Sequence, residues 1–92
     1  MKLITVEAEF PSDRIGDAVA LFEAQAGTVR AMEGCEHYAL YPADGRIAIV
    51  QRWRTMEAFG AYRASDAFGA LARGLKPMMA EPPVTTIGEI DD

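Results

Sequence analysis

The chain has 92 residues, of which 50% are apolar and 25% are charged, and its formal net charge is −5 at pH 7. This is an ordinary globular composition, and we expect one domain spanning residues 1–92. Without a lysine and arginine cluster, the acidic balance argues against nucleic-acid or anionic-lipid partners. Apolar runs fall short of the ~20 residues that span a bilayer, and charge at Glu7 comes too early for a signal peptide. We therefore expect a cytoplasmic protein without a membrane partner.

The first predicted elements are a strand and a long helix. Alternating apolar residues favour a strand over about Lys2–Phe10, which Pro11 ends. Ser12 is a suitable helix N-cap, and the helix should run to about Met32, with Gly34 as a left-handed residue at its end. The apolar stripe of this helix comprises Ile15, Val19, Phe22, Ala26 and Val29.

A hairpin and a helix pair are predicted next. Strands over about Glu36–Tyr41 and Arg46–Trp53 flank a turn at Pro42–Gly45, whose Asp-Gly pair favours an antiparallel hairpin. Thr55 can cap a short helix, and Ser65 a second one that ends before the proline at position 77. The second helix has an apolar stripe of Phe68, Leu71, Ala72 and Leu75.

The chain should end with an extended linker, Glu81–Pro83, and a last strand, Val84–Ile90; the two aspartates after it are expected to form a solvated tail. The order strand, helix, strand, strand, helix pair, strand is that of a split βαβ, or ferredoxin-like, α+β fold with an antiparallel sheet. Helices in such a fold cover one face of the sheet. Because Ala48 and Val50 are apolar on the opposite face, we expect a second copy of the chain to cover it, which gives a homodimer.

The chain has too few cysteines and histidines for most of the sites that these residues form. The single cysteine, Cys35, and the single histidine, His37, exclude an internal disulfide, a cysteine-built zinc site and a multi-histidine site. Acidic residues show no calcium-loop spacing, so we expect no metal site. Cys35 lacks a His or Asp placed to activate it and is interpreted as a small buried hydrophobe rather than a nucleophile. His37 stays an alternative catalytic residue because its unperturbed pKa lies near neutrality.

The order and spacing of one set of residues along the chain show a family resemblance. The set comprises Glu33, Gly34, Cys35, Tyr38, Leu40, Trp53, Ala58, Phe59, Tyr62, Ser65, Phe68, Leu71, Leu75 and Pro77. In order and spacing they resemble the antibiotic-biosynthesis monooxygenase superfamily of dimeric α+β barrels. Gln51 departs from the family's usual Glu, and Tyr62 stands where the family often has His. The haem-degrading branch uses an Asn on the first strand, and this chain contains no Asn, which argues against haem degradation.

The resemblance implies a pocket between the sheet and the helices. It also implies a cofactor-independent monooxygenase that uses O2 on a small aromatic substrate, such as a hydroquinone or an anthrone-type polyketide. We expect Tyr62 and Gln51 as its catalytic polar contacts. The expected substrate-binding walls are Trp53, Phe59, Phe68 and Leu71. The alternatives are a non-catalytic dimer that binds a small hydrophobic molecule or has a structural role, and an isomerase on the same scaffold.

Several of these residues also have plainer interpretations. Trp53 can be core filler, Tyr62 a half-buried tyrosine at the rim, and Gln51 a polar residue at a strand end. The three arginines Arg52, Arg54 and Arg63 can form a solvated face paired with acidic neighbours, or one of them can steer an anionic substrate.

Three glycines in the predicted helix pair are unusual. Gly60, Gly69 and Gly74 each cost a helix about 1 kcal/mol relative to alanine. Close helix packing and a lid that loosens to admit a ligand both remain open as explanations.

Overall fold

A computed structural model describes residues 1–90 of the chain. Its elements are β1 (Lys2–Glu9), α1 (Ile15–Arg30), β2 (Cys35–Ala43), β3 (Arg46–Trp53), α2 (Met56–Arg63), α3 (Asp66–Leu75) and β4 (Val84–Glu89), with 3-10 turns at Ser12–Arg14 and Lys76–Met78. This is the predicted order of elements. The predicted tail, Asp91 and Asp92, lies outside the described residues.

Within the described residues the strands form one antiparallel sheet in the order β2-β3-β1-β4. The first strand lies in the middle, where Ile4 is opposite Gln51 of β3 and Ile87 of β4. Successive side chains of a strand point to opposite faces of the sheet, so this register aligns the apolar positions of neighbouring strands on one face. The predicted α+β, ferredoxin-like fold is confirmed.

The core lies between that face and the helices. Ile4 and Ile47 of the sheet and Ala18 and Val29 of α1 are each 0% exposed. Burial of such apolar surface contributes roughly 25 cal/mol per Å² and is the main force that holds the two layers together. Residues 1–90 place no helix on the opposite face, where Val50 is half-buried and Tyr41 is 52% exposed.

The two short helices begin at the predicted caps. The Thr55 Oγ1 accepts a hydrogen bond from the Ala58 N–H at 3.1 Å, and the Ser65 Oγ accepts one from the Phe68 N–H at 3.2 Å. Each cap satisfies one backbone donor that the first helical turn leaves without a partner. The serine also donates to the carbonyl of Tyr62 at 2.6 Å, which joins the end of α2 to the start of α3.

The predicted cap of the long helix was wrong. Ser12 lies inside a 3-10 turn, α1 begins at Ile15, and no side chain caps either start. The reason is local: the Arg14 N–H donates to the Pro11 carbonyl at 2.8 Å, so a tight backbone turn takes the place of a side-chain cap.

A glycine between the end of α1 and the start of β2 packs against the first turn of α2. The helix α1 ends at Arg30 rather than near residue 32. A short turn follows, and it ends with Gly34, whose φ is +85°. Its carbonyl accepts a hydrogen bond from the Arg54 N–H at 2.9 Å, and a Cβ on it would lie 2.6 Å from the Cβ of Ala58. Both the left-handed backbone and this close approach require glycine.

The helix glycines differ from one another. A Cβ on Gly74 would lie 2.9 Å from Leu21 of α1, so this glycine permits close packing of α3 on α1. A Cβ on Gly60 would meet no described atom within 4 Å. Close packing therefore accounts for Gly74 and not for Gly60.

We predict that Gly34→Ala destabilises the fold more than Gly45→Ala does. Both glycines have positive φ, +85° and +77°, but a Cβ on Gly45 meets no described atom within 4 Å. Each substitution should cost about 1–3 kcal/mol of backbone strain, and the overlap with Ala58 should add roughly 1–3 kcal/mol. Urea unfolding of the two variants measures the difference. Equal midpoints would show that the contact between Gly34 and Ala58 does not constrain the fold.

Candidate functional site

A cavity of about 480 Å³ lies between the helix-facing side of the sheet and the helices. Its volume falls within the range of small-molecule sites, about 300–1,000 Å³. Val6, Ala8 and Ile49 of the sheet, Phe22 of α1 and Leu75 of α3 give it an apolar surface. Lining residues that are themselves exposed, among them Lys76 and the segment 80–83, mark its opening to solvent.

Two tyrosines provide a polar group at the buried side of the cavity. Tyr38 of β2 and Tyr62 of α2 are 2% and 3% exposed, and their hydroxyl oxygens lie 3.4 Å apart, so that either can donate to the other. Burial raises the pKa of the Tyr38 hydroxyl far above its ordinary value, and the neighbouring phenol raises it further. Burial also raises the pKa of the Tyr62 hydroxyl. Both side chains are therefore neutral phenols at pH 7, suited to donating a hydrogen bond rather than to removing a proton.

A fixed amide lies beside the tyrosines. Gln51 is 3% exposed, and its Oε1 accepts a hydrogen bond from the Trp53 Nε1 at 2.9 Å. Alternate residues of a strand project to the same side, which brings these two side chains together. An indole N–H can only donate, so the amide oxygen must face it. The amide NH2 has no protein acceptor among residues 1–90 and is left as a donor in a side chain that lines the cavity.

The indole lies behind this polar group. Trp53 is 0% exposed and is not among the residues that line the cavity. Its ring stacks on that of Tyr62, with centroids 5.3 Å apart and planes 21° apart. The expectation that Trp53 is itself a wall is therefore not met by the geometry, because the tyrosine ring stands against it. Its position supports Tyr62 by stacking and Gln51 by a hydrogen bond.

The other three expected walls do line the cavity. Phe59 and Leu71 are each 3% exposed, and Phe68 is half-buried. The Phe68 ring meets the Tyr62 ring edge-on, with centroids 5.3 Å apart and an angle of 80°. The helix pair thus places one aromatic surface on the cavity, while substrate binding by these residues stays a prediction.

Tyr38 is the main site residue that the sequence analysis missed. It entered there only as part of a family pattern and was given no role in the site. The register puts it directly opposite Gln51, which is the signal that would have found it. The segment Glu81–Pro83, interpreted as a linker, also lines the cavity, and no local pattern indicates this.

The two remaining candidates lie elsewhere. His37 pairs with Arg52 in the strand register and lies on the face of the sheet away from the helices, so the cavity does not include it. Cys35 has a raised pKa because of burial, and its Sγ donates weakly to the carbonyl of His37 at 3.8 Å. A thiol with a raised pKa is a poor nucleophile, in agreement with the expectation that Cys35 is not one, although its side chain is half-buried rather than buried.

Two further properties concern residues 1–90 as a whole. Their His, Cys, Asp and Glu side chains form no group of three or more that is placed to hold a metal ion. None of their helices has the length and apolar character needed to cross a membrane.

We predict that the free energy of unfolding falls as pH rises above about 10, the ordinary pKa of tyrosine. The folded state holds both buried hydroxyls protonated, so their contribution is complete below that pH and is lost as pH rises toward the raised pKa values. The double variant Tyr38→Phe/Tyr62→Phe should lose less stability in this range, and the exposed Tyr41→Phe should behave as wild type. Urea titrations at stepwise pH measure the slopes, and identical slopes for all three would contradict the assignment.

Comparison with known proteins agrees with this architecture. A Nitrosomonas europaea protein named as a candidate antibiotic biosynthesis monooxygenase superposes with a TM-score of 0.93 at 14% identity, with 97% of each chain covered. A second antibiotic biosynthesis monooxygenase structure gives 0.91 at 14% identity and covers both chains fully. A Mycobacterium tuberculosis protein gives 0.85 at 22% identity, covering 100% of this chain and 97% of its own. Identities this low show a shared fold alone.

No curated protein is significantly similar in sequence to this chain. The family model described as antibiotic biosynthesis monooxygenase, however, matches residues 1–74, most of the 92 residues. The fold, the sheet register and this match agree, and the chain belongs to the antibiotic biosynthesis monooxygenase family.

Proposed function

We propose that the protein is a cofactor-independent monooxygenase that oxidises a small, electron-rich aromatic compound, of the hydroquinone or anthrone type, with O2. Family membership supports a monooxygenase-like role at the level of the family. The observation that carries the finer proposal is the apolar cavity of about 480 Å³, whose buried polar groups within residues 1–90 are Tyr38, Tyr62 and Gln51.

The cavity surface favours binding of an aromatic ring. Phe59, Phe68 and Leu71 offer flat and branched apolar surfaces, and burial of a ring against them removes water from both partners. Exclusion of water also strengthens each hydrogen bond made inside the cavity. In this scheme the substrate places its oxygen against the polar group and its ring along the aromatic surface.

The two tyrosines and Gln51 act on that substrate oxygen as a set of hydrogen-bond donors. The Tyr62 hydroxyl and the Gln51 NH2 donate to it, with Tyr38 holding Tyr62 in place through the contact between their hydroxyls. Donors aimed at an oxygen favour its anion, so the substrate ionises more readily inside than in water. The raised pKa of Tyr62 suits it to this role and not to that of a base. The proton leaves to water at the opening.

The anion then supplies the electrons. It transfers one electron to O2, the resulting carbon radical and superoxide combine to form a carbon–oxygen bond, and the peroxide is protonated. Loss of water breaks the oxygen–oxygen bond and leaves a carbonyl. For an anthrone-type methylene the balance is CH2 + O2 → C=O + H2O, so one oxygen atom enters the product and no further reductant is consumed. The protein contributes orientation, desolvation and the donors.

We also propose that two chains pair through the uncovered face of the sheet. This face carries Ala48 and the half-buried Val50, with Tyr41 52% exposed and Val84 62% exposed at its edges. Apolar surface of this kind favours association. The cytoplasmic location and the extent of the domain, residues 1–92, stay predictions.

One observation favours a second candidate, a non-catalytic dimer that binds a small hydrophobic molecule. The buried lining residues within residues 1–90 include no carboxylate and no imidazole, and Gln51 and Tyr62 occupy positions where the family usually has Glu and often has His. Binding then needs no proton transfer. An isomerase on the same scaffold would turn over its substrate without O2, which separates it from both.

We predict O2-dependent turnover of at least one member of a hydroquinone and anthrone panel, followed with an oxygen electrode. Tyr62→Phe should lower turnover about 10²-fold, because it removes one donor to the developing anion while it keeps the ring packing. The matched control, Tyr41→Phe, changes an exposed tyrosine outside the cavity lining and should keep full activity.

Two results would decide against the enzyme. Absence of O2 consumption across the panel argues for the binding protein, and turnover that persists without O2 argues for the isomerase. Trp53→Phe adds a second comparison: an enzyme loses activity while still folded and dimeric, whereas a structural protein loses stability first.

We predict that the protein sediments at twice its chain mass of 10.0 kDa at micromolar concentration. Val50→Glu places a charge on the uncovered face and should yield monomers, since burying an unpaired charge is costly. Met56→Glu, at an exposed apolar residue of α2, is the control and should remain dimeric. A wild-type monomer at this concentration would rule out the dimer.

A further inference from the structure

Three arginines surround Trp53 in the sequence, and the structure separates them. Arg54 forms an ion pair with Glu36, and Arg52 lies on the uncovered face of the sheet in register with His37. Of the three, within the described residues, Arg63 is the one that lines the cavity. The sequence left open whether these arginines are solvated or steer a substrate, and the question now concerns Arg63.

Two aromatic rings hold the guanidinium of Arg63. Its Cζ lies 5.5 Å from the ring centroid of Phe59 and 5.4 Å from that of Phe68. Each distance is within the range of a cation–π interaction, which limits the positions that the long side chain can adopt. Both rings are themselves cavity walls, so the cation lies beside the surface where an aromatic ligand would lie.

No carboxylate within residues 1–90 forms an ion pair with Arg63; neither Glu57 nor Asp66, the acidic neighbours on the helix pair, reaches it. The side chain is exposed, so its N–H groups are accessible to solvent and to a ligand. Burial raises the pKa of Tyr62, and the Arg63 charge, after the hydrogen bond with Tyr38, opposes that rise.

The other polar groups of the cavity also favour a ligand with a negatively charged oxygen. The hydroxyl pair and the Gln51 NH2 are donors, and Lys76 adds a second cation at the opening. Within the described chain, the acidic residue of the lining is Glu81, an exposed side chain of the opening. A ligand with a negatively charged oxygen therefore meets donors and positive charge, together with one solvated carboxylate.

We propose that Arg63 makes the cavity selective for aromatic ligands that carry an oxyanion, with the ring against the aromatic walls and the anionic group paired with the guanidinium. The planar fork of an arginine binds two oxygens of one anionic group at once, and the neighbouring rings of Phe59 and Phe68 reduce competition from water. This inference rests on the cavity being the ligand site of the proposed function, and it narrows the substrate class to acidic aromatics. The same pairing orients the substrate before its oxidation.

The test uses two probes that share one ring system. 8-Anilinonaphthalene-1-sulfonate carries a sulfonate, and N-phenyl-1-naphthylamine is the same skeleton without it; both increase in fluorescence in apolar sites. The proteins are wild type, Arg63→Gln, Arg63→Lys and the control Arg73→Gln. Arg63 and Arg73 both lie in the last turn of a short helix and are exposed, so the two Gln variants change net charge and helix-end charge alike. Arg73 is not a lining residue.

Arg63→Gln should weaken binding of the sulfonate probe about tenfold, as expected for loss of a charge-assisted hydrogen bond, and should change binding of the neutral probe less than about threefold. Arg63→Lys should give an intermediate loss of about threefold, since lysine keeps the charge without the planar fork. Arg73→Gln should bind both probes as wild type does. Added salt should weaken the sulfonate probe in wild type and have less effect in Arg63→Gln.

An unchanged affinity for the sulfonate probe in Arg63→Gln would overturn the inference, and so would an equal loss for both probes or an equal loss in Arg73→Gln. If wild type binds neither probe, the cavity is not a ligand site, and the proposed function fails with the inference. If the selectivity appears but no panel compound is oxidised, the inference stands and the monooxygenase proposal fails.

Discussion

The indole of Trp53 is the contact on which the site depends. It is fully buried at the end of β3, just before α2, where it stacks on Tyr62 and donates its N–H to Gln51. One side chain thus fixes a tyrosine on the helix layer and an amide on the sheet layer. Loss of a buried ring of this size typically costs about 3–5 kcal/mol, so the geometry of the polar group and the stability of the fold are coupled.

Around this contact, within residues 1–90, the buried polar groups that line the cavity are uncharged. The buried polar groups of the cavity within residues 1–90 are two phenols and an amide, the other buried lining residues are apolar, and the charged lining residues Arg63, Lys76 and Glu81 are exposed. Such a surface lowers the cost of holding an aromatic ring and raises the strength of each donor. A substrate that supplies its own electrons needs little more than this from a protein, which is why a small two-layer domain is sufficient for the proposed reaction. In the proposed scheme Arg63, whose guanidinium lies near two phenylalanine rings, adds selection by charge at the same aromatic surface.

Local sequence patterns were sufficient to predict most of the fold. Alternation in β1, the Asp-Gly turn before Arg46, and the caps Thr55 and Ser65 each depend on residues close together in sequence, and each was predicted where it occurs. The start of α1 was missed because a proline carbonyl closed a 3-10 turn at the position expected for a side-chain cap. Propensity does not decide between two local hydrogen bonds of similar strength.

The candidate site, like the fold, was predicted from the sequence only in part. The sequence by itself determined the order of elements, the side of β3 that bears Gln51 and Trp53, and the aromatic character of the helix pair, because each follows from spacing along one element. The tertiary structure alone decided that Tyr38 meets Tyr62, that Trp53 lies behind the cavity, and that Arg63 lines it while Arg52 and Arg54 do not. Those outcomes depend on strand register and on how helices dock on the sheet, and both are set by contacts between residues far apart in the chain.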